Sequence, residues 1–205
     1  MNARRTLADH ELVVPLPPNA PRLSADITTR LGSAWLRMSG WRLTDEFPDV
    51  PKAVVIVAPH SSNWDGLHGL AMKQVLGLDV HILAKRQLFW WPLSVLMRRL
   101  GAIPIDRVAA TDLVDYAASE FARHDRFWLG IAPEGTRKSV DRWKTGFWRI
   151  ARAAGVPIIT AYFHYPEKRV GVGPLFWPTD DMEADLARLR DFYAPWQGVD
   201  GKRAV

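Results

Sequence analysis

Short β-branched runs that stop at a proline or glycine, separated by stretches of helical length, constrain the fold of this chain more than any other feature. The first run is Ala53-Val54-Val55-Ile56-Val57-Ala58, closed by Pro59. It suits a buried strand and is too short for a buried helix. Comparable runs occupy residues 80–84, 102–105, 127–132 (leading into Pro133), 156–163 and 170–176. Between them lie predicted helices at about 63–76, with Asn63 or Asp65 as cap and Gly77 as stop, at 112–123, at 144–154 ahead of Gly155, and at 181–193. Residues 88–100 are apolar, contain Pro92 and end in Arg98-Arg99. Strands alternating with helices predict an α/β fold: a single layered domain with a central mixed, mostly parallel sheet flanked by helices. At 205 residues the chain is long enough for one substantial core.

Two segments precede that pattern. Residues 1–21 are polar and then proline-rich (Pro15, Pro17, Pro18, Pro21), which predicts a flexible arm. Leu23, Ile27, Leu31, Trp35 and Met38 recur at helical spacing before Gly40, so residues 22–43 are predicted to hold an N-terminal amphipathic helix. Arg30, Arg37 and Arg42 flank the stripe. Such a helix either lies in a membrane surface or docks on the domain, and both placements fit the pattern.

The absence of cysteine excludes disulfides, a thiol nucleophile and Cys-ligated zinc or iron–sulfur sites, and fits a reducing compartment. No apolar run approaches the roughly 18 residues of a spanning helix, and the first residues lack the apolar stretch of a secretory signal. Positive charge is clustered. Residues 85–107 hold Lys85, Arg86, Arg98, Arg99 and Arg107 against Asp106 alone, and residues 137–152 hold six basic side chains against Asp141. Several of the ten Trp, among them Trp35, Trp90, Trp91, Trp143 and Trp148, lie in or beside basic stretches. Trp with Arg and Lys suits anionic lipid headgroups. The same composition would suit single-stranded nucleic acid, and it is equally what core tryptophans beside a solvated basic face would show.

The chemistry-bearing candidates sit where strands end. His60 follows the first run, with Asp65 five positions on in Ala-Pro-His-Ser-Ser-Asn-Trp-Asp. An imidazole beside a carboxylate is a general base with a fixed tautomer, although a hydrogen-bonded loop would show the same pair. Gly101-Ala-Ile-Pro-Ile-Asp-Arg107 brings a strand to an arginine, and Pro133-Glu134-Gly135-Thr136-Arg137 follows the run 127–132. Gly135 permits close backbone approach, Thr136 offers a hydroxyl and an amide, and Arg137 carries a planar fork suited to phosphate. A strand-end ion pair and a turn closed by Glu134 and Arg137 are the ordinary alternatives. With parallel strands, His60, Arg107 and Arg137 would converge on one sheet edge. There is no Gly-x-Ser-x-Gly elbow, Walker loop, Gly-x-Gly-x-x-Gly or His-Glu-x-x-His.

His60-Ser-Ser-Asn-Trp-Asp65, Gly101 to Arg107 and Pro133 to Arg137 resemble, in order, the first three blocks of the glycerophospholipid acyltransferase family, which includes the 1-acylglycerol-3-phosphate acyltransferases. A fourth block would fall at Val156-Pro-Ile-Ile-Thr-Ala-Tyr162, with Thr160 where many members carry a second proline. The resemblance spans about residues 53–165 and implies an acyltransferase domain over 44–205. It implies transfer of a fatty acyl group from acyl-CoA or an acyl carrier protein, as co-substrate, to a hydroxyl of a lysophospholipid. His60 would be the base and Asp65 its orienting partner, with neither cofactor nor metal required. Arg107, Glu134, Gly135, Thr136 and Arg137 would bind the acceptor headgroup, with Lys85 adding positive charge. The expected setting is cytoplasmic and peripheral, on the inner face of the membrane, with no transmembrane helix. The alternatives are a non-phosphate lyso-lipid acceptor, such as a lyso-aminolipid, and a basic aromatic nucleic-acid-binding module. The latter gives His60 and Asp65 no task, so no nucleic acid partner is expected.

Overall fold

The computed structural model of the protein describes residues 15–24, 27–105, 110–135 and 142–204. Its centre is strand β2 (Lys52–Ala58), the first β-branched run. Val54, Ile56 and Ala58 enter one apolar cluster and Ala53 and Val55 the other, so alternate residues line two cores, one on each face of the sheet. A strand covered on both faces must read as continuously apolar, which is why this run shows no polar alternation.

The sheet has seven strands. Besides β2 they are β1 (Arg42–Leu43), β3 (Val80–Lys85), β4 (Ala102–Ile105), β5 (Phe127–Ile131), β6 (Ile158–His164) and β7 (Arg169–Phe176), in the order β1-β7-β6-β2-β5-β3-β4. The five strands β6, β2, β5, β3 and β4 are mutually parallel. β7 runs antiparallel to β6, closing a hairpin through the turn Tyr165–Glu167, and β1 is parallel to β7. The sheet is therefore mixed and mostly parallel, as the alternating pattern predicts. The β6–β7 register shifts between Ile159 and Ala161, so the irregularity falls at Thr160, whose hydroxyl donates to the Pro174 carbonyl at 3.2 Å.

Helices α1 (Ile27–Ser39) and α2 (Asn63–Leu76) cover one face. A short α3 (Leu93–Arg99) joins β3 to β4 and has no buried residue. Helices α4 (Ala110–Arg123), α5 (Gly146–Ala154) and α6 (Met182–Tyr193) cover the other face. This split follows from right-handed crossovers: a connection that steps along the sheet in one direction lies on one face, and the return steps lie on the other. Gly77 and Gly155 adopt the left-handed conformation, at φ 65 and 64, that ends α2 and α5 where the sequence predicts.

The predicted N-terminal stripe is not the face that docks: of its members within α1, Trp35 alone is partly buried. Gly32 and Leu36 are buried against α2, and a Cβ on Gly32 would lie 3.0 Å from the Ala71 carbonyl oxygen. Ile27, Leu31 and Met38 face outward, Met38 at 81% exposure. The helix docks and also presents an apolar side. Residues 15–21, the described end of the expected arm, are packed: Leu16 and Ala20 are buried, the Asp79 N–H donates to the Pro21 carbonyl, and just beyond the arm the Leu23 N–H donates to the Gly77 carbonyl. Residues 1–14 lie outside the described residues.

Candidate active site

The loop after β2 is organised by the start of α2. The cap is Ser62 rather than Asn63 or Asp65: it has extended backbone (φ −152, ψ 163), and its hydroxyl accepts the Trp64 N–H at 2.9 Å. A cap requires that non-helical backbone with a short oxygen-bearing side chain, whereas Asp65 stands three residues inside the helix. From there its carboxylate accepts the Ser62 N–H at 2.7 Å, closing a capping box, and the Ser61 N–H at 2.5 Å. The Tyr165 hydroxyl donates to its other oxygen. Asp65 is thus a buried carboxylate, 1% exposed, satisfied by three close donors, with the Ser61 hydroxyl a more distant fourth at 3.5 Å. His60 lies across the loop with Nδ1 3.5 Å from Asp65 Oδ2 and its side chain 28% exposed. At that distance the pairing is electrostatic more than a hydrogen bond.

A second carboxylate holds the same loop from behind. β5 is the neighbour of β2, and the turn after it places Glu134 so that its two oxygens accept the His60 main-chain N–H at 2.9 and 3.1 Å. Glu134 is 5% exposed. Burial raises its pKa from the ordinary 4.5 to about 7; the His60 N–H opposes that rise, and the Asp65 charge adds to it. Tyr193 of α6 has its hydroxyl within 3.0 Å of the Ile56 carbonyl oxygen and 2.9 Å of that of Ala161, so it ties β2 to β6. Burial first, and the Glu134 charge second, keep that phenol protonated.

Further contacts stiffen the loop. The Tyr165 ring stands edge-on to Trp41 at 4.8 Å, and its phenol is held protonated by burial and by the Asp65 charge. The Ser61 hydroxyl accepts the Val199 N–H at 2.9 Å, and a Cβ on Gly198 would come within 2.3 Å of that oxygen. Glycine at 198 is what lets the chain past α6 close over the loop. His68, one turn beyond Asp65, accepts the Trp35 indole N–H at Nδ1 (3.1 Å), and burial lowers its pKa. It joins α1 to α2 as a neutral imidazole.

The structure therefore brings together His60, Asp65 and Glu134, with Gly135 adjacent in a left-handed turn at φ 63. Lys85 closes β3, which is separated from β2 by β5. Arg107, Thr136 and Arg137 lie outside the described residues; β4, which leads to Arg107, ends on the same sheet edge as β2 and β5. Among the described residues, no three His, Asp or Glu side chains are grouped to hold a metal ion. Sequence reasoning missed Tyr165 and the inward direction of Glu134. The Ser62-x-x-Asp65 spacing is a capping-box signal that would have located the cap.

The sequence model of the Acyltransferase family matches residues 43–164, a stretch that holds His60, Asp65, Glu134 and the whole of β2 to β6. The chain belongs to the Acyltransferase family. A 1-acyl-sn-glycerol-3-phosphate acyltransferase of Streptococcus pneumoniae is 30% identical to this family member in an alignment of 133 residues that covers 60% of this chain and 46% of that protein. The chain thus spans about half the length of the curated relative it matches. The fold is shared with the crystal structure of the 1-acyl-sn-glycerophosphate (LPA) acyltransferase of Thermotoga maritima, with a TM-score of 0.60 at 15% identity, over 80% of this chain and 74% of that one.

Proposed function

We propose that the protein transfers a fatty acyl group from an acyl thioester, acyl-CoA or acyl carrier protein, to the free hydroxyl of a lysophospholipid, foremost 1-acylglycerol-3-phosphate, by general-base catalysis at His60. The observation that carries this reading is the double hold on one loop. Asp65 faces the imidazole from within α2, and Glu134 grips the same residue's main chain from the neighbouring strand. The names of the two relatives supply the substrate class.

In this mechanism the His60 Nε2 lone pair takes the acceptor's hydroxyl proton as its oxygen attacks the thioester carbonyl. Asp65 keeps the Nδ1–H tautomer in place and stabilises the imidazolium. The tetrahedral intermediate collapses with cleavage of the carbon–sulfur bond, and the imidazolium returns its proton to the departing thiolate. The acyl group passes directly between substrates, so no cofactor enters. The basic residues at the end of β3 and after β4 and β5 (Lys85, Arg107 and Arg137, with Thr136) bind the acceptor's phosphate.

The site works on a peripheral protein at the inner face of the membrane. Among the described residues no helix is long and apolar enough to cross a membrane. Two apolar outcrops are exposed: Ile27, Leu31 and Met38 on α1 with Trp64 and Leu67 on α2, and Trp90, Trp91, Val95 and Leu96 around α3. Residues 86–105 contain three arginines and no acid, which suits an anionic bilayer. Flotation with phosphatidylglycerol vesicles at low salt should carry the protein upward. Recovery wholly in the soluble fraction would rule the attachment out.

The deciding experiment gives the purified protein labelled acyl-CoA or acyl carrier protein and a panel of lysolipids, with products read by mass and His60→Ala as control. Diacylglycerol phosphate is the expected product. Acylation of a lyso-aminolipid alone would move the acceptor to the non-phosphate class.

A further inference from the structure

One cation beside the site has no task in this scheme. Gly135 adopts φ +63, and a Cβ there would lie 2.7 Å from both Cδ and Cε of Lys144 and 2.9 Å from its Nζ. The lysine stem is therefore laid across the glycine, and any side chain at 135 would displace it. The main chain beneath is rigidly placed. The Lys144 N–H donates to the Pro133 carbonyl at 2.8 Å. The neighbouring Trp143 is buried, with its indole N–H donating to the Ala204 carbonyl at 2.8 Å, and Phe147 is buried one turn on. Between these anchors the Lys144 side chain itself is exposed.

Ordering a lysine against a backbone costs rotamer entropy, and among the described residues no carboxylate or carbonyl receives this ammonium. Its stem is packed and its charge is left in solvent, at the turn whose Glu134 grips His60. A compact ammonium with no partner among the described residues, carried over the turn that grips the general base, is suited to hold an anionic group of the molecule that delivers its hydroxyl to that base.

Resting on the acceptor assignment above, we infer that Lys144 is a substrate-binding residue that takes the phosphate monoester of the lysophospholipid acceptor, with Gly135 required so that the lysine can cross the turn. Phosphate also occurs in the CoA of the donor, and the two sources separate kinetically. Lys144→Met should raise the KM for 1-acylglycerol-3-phosphate by about ten- to a hundredfold, the size of one lost charge-assisted contact, and change kcat by less than about threefold. The KM for acyl-CoA should stay put. Lys144→Arg should restore most of the loss, and Gly135→Ala should reproduce it in part. Lys144→Gln replaces the methionine variant should that one melt early. Unchanged acceptor KM in a folded variant, or a rise confined to the donor KM, overturns the inference while leaving the acceptor assignment intact. Wild-type protein that acylates no lysophosphatidate overturns both.

Discussion

The two ends of the sheet carry buried ionisable groups of opposite sign, each held by main-chain atoms. At the amino end, Lys73 of α2 donates to the Val80 carbonyl at 2.6 Å and the Leu100 carbonyl at 3.0 Å, with Asp79 at 3.8 Å. Its Nζ would lie 2.6 Å from a Cβ on Gly101. Burial lowers the pKa of this lysine, and Asp79 opposes that shift. At the carboxyl end, Asp65 and Glu134 accept the amides of Ser61, Ser62 and His60. The same device, a buried charge answered by backbone dipoles, makes a joint in one place and a mount in the other. What separates them is the last group in the chain of contacts. Lys73 ends on carbonyls, whereas the two carboxylates end on a residue whose imidazole is partly exposed.

Substitutions at the two ends should therefore fail in different ways. The largest effect is expected for His60→Ala, which should lower acyl transfer by roughly a hundred- to ten-thousandfold with the thermal transition preserved. Asp65→Asn should lose less. Full activity in His60→Ala would remove the distinction between mount and joint altogether.

The pH dependence of stability tests the carboxyl end by itself. Because Glu134 is raised from 4.5 to about 7, the native state holds its proton more tightly than the unfolded chain does. Its contribution is therefore fully present below pH 4.5 and declines as pH rises through 7, by about 3 kcal/mol in total. Subtracting the unfolding free energy of Glu134→Gln from that of wild type across this range should recover the slope. A flat difference would show that Glu134 is not buried as a carboxylate.

Lys73→Met leaves two carbonyls without their donor and should cost about 2 kcal/mol in denaturant unfolding, with kcat/KM per folded molecule unchanged. A matching loss of activity would mean that the amino end also serves the reaction. The smallest effect belongs to Tyr165→Phe, which removes one of three close donors from Asp65. We expect kcat to fall about tenfold, near 1.4 kcal/mol, with KM unmoved. A variant with wild-type kcat would show that the two amides alone position that carboxylate.

Much of the site was legible because it is local. The run 53–58 has the composition of a strand buried on both faces, and the five-residue step from His60 to Asp65 spans only a strand end and the first turn of a helix. The family resemblance assigns Glu134 to the acceptor headgroup, and the local alternative closes a turn between it and Arg137, three residues on. The partner of Glu134 in the structure is a main-chain amide 74 residues away, which carries no side-chain signal. Tyr165 lies just past the predicted strand 156–163 with no local pattern to mark it; its bond to Asp65 bridges 100 residues. The proline-rich residues 15–21 read as loose because proline breaks regular structure, yet Leu16 and Ala20 are buried without needing any.

The sequence by itself determined the alternation of elements, the caps at Gly77 and Gly155 and the placing of His60 and Asp65 across one strand-to-helix turn. All of these rest on interactions a few residues long, and spacing encodes them. Only the tertiary structure decided which strands are neighbours. With β5 beside β2 and β6 on its other side, Glu134 and Tyr165 reach the loop from opposite flanks. Lys144 likewise comes to lie over Gly135 only through the packing of α5 and the chain before it. Strand order is settled by how crossovers bury two apolar faces at once, a property of the whole core that no local pattern records.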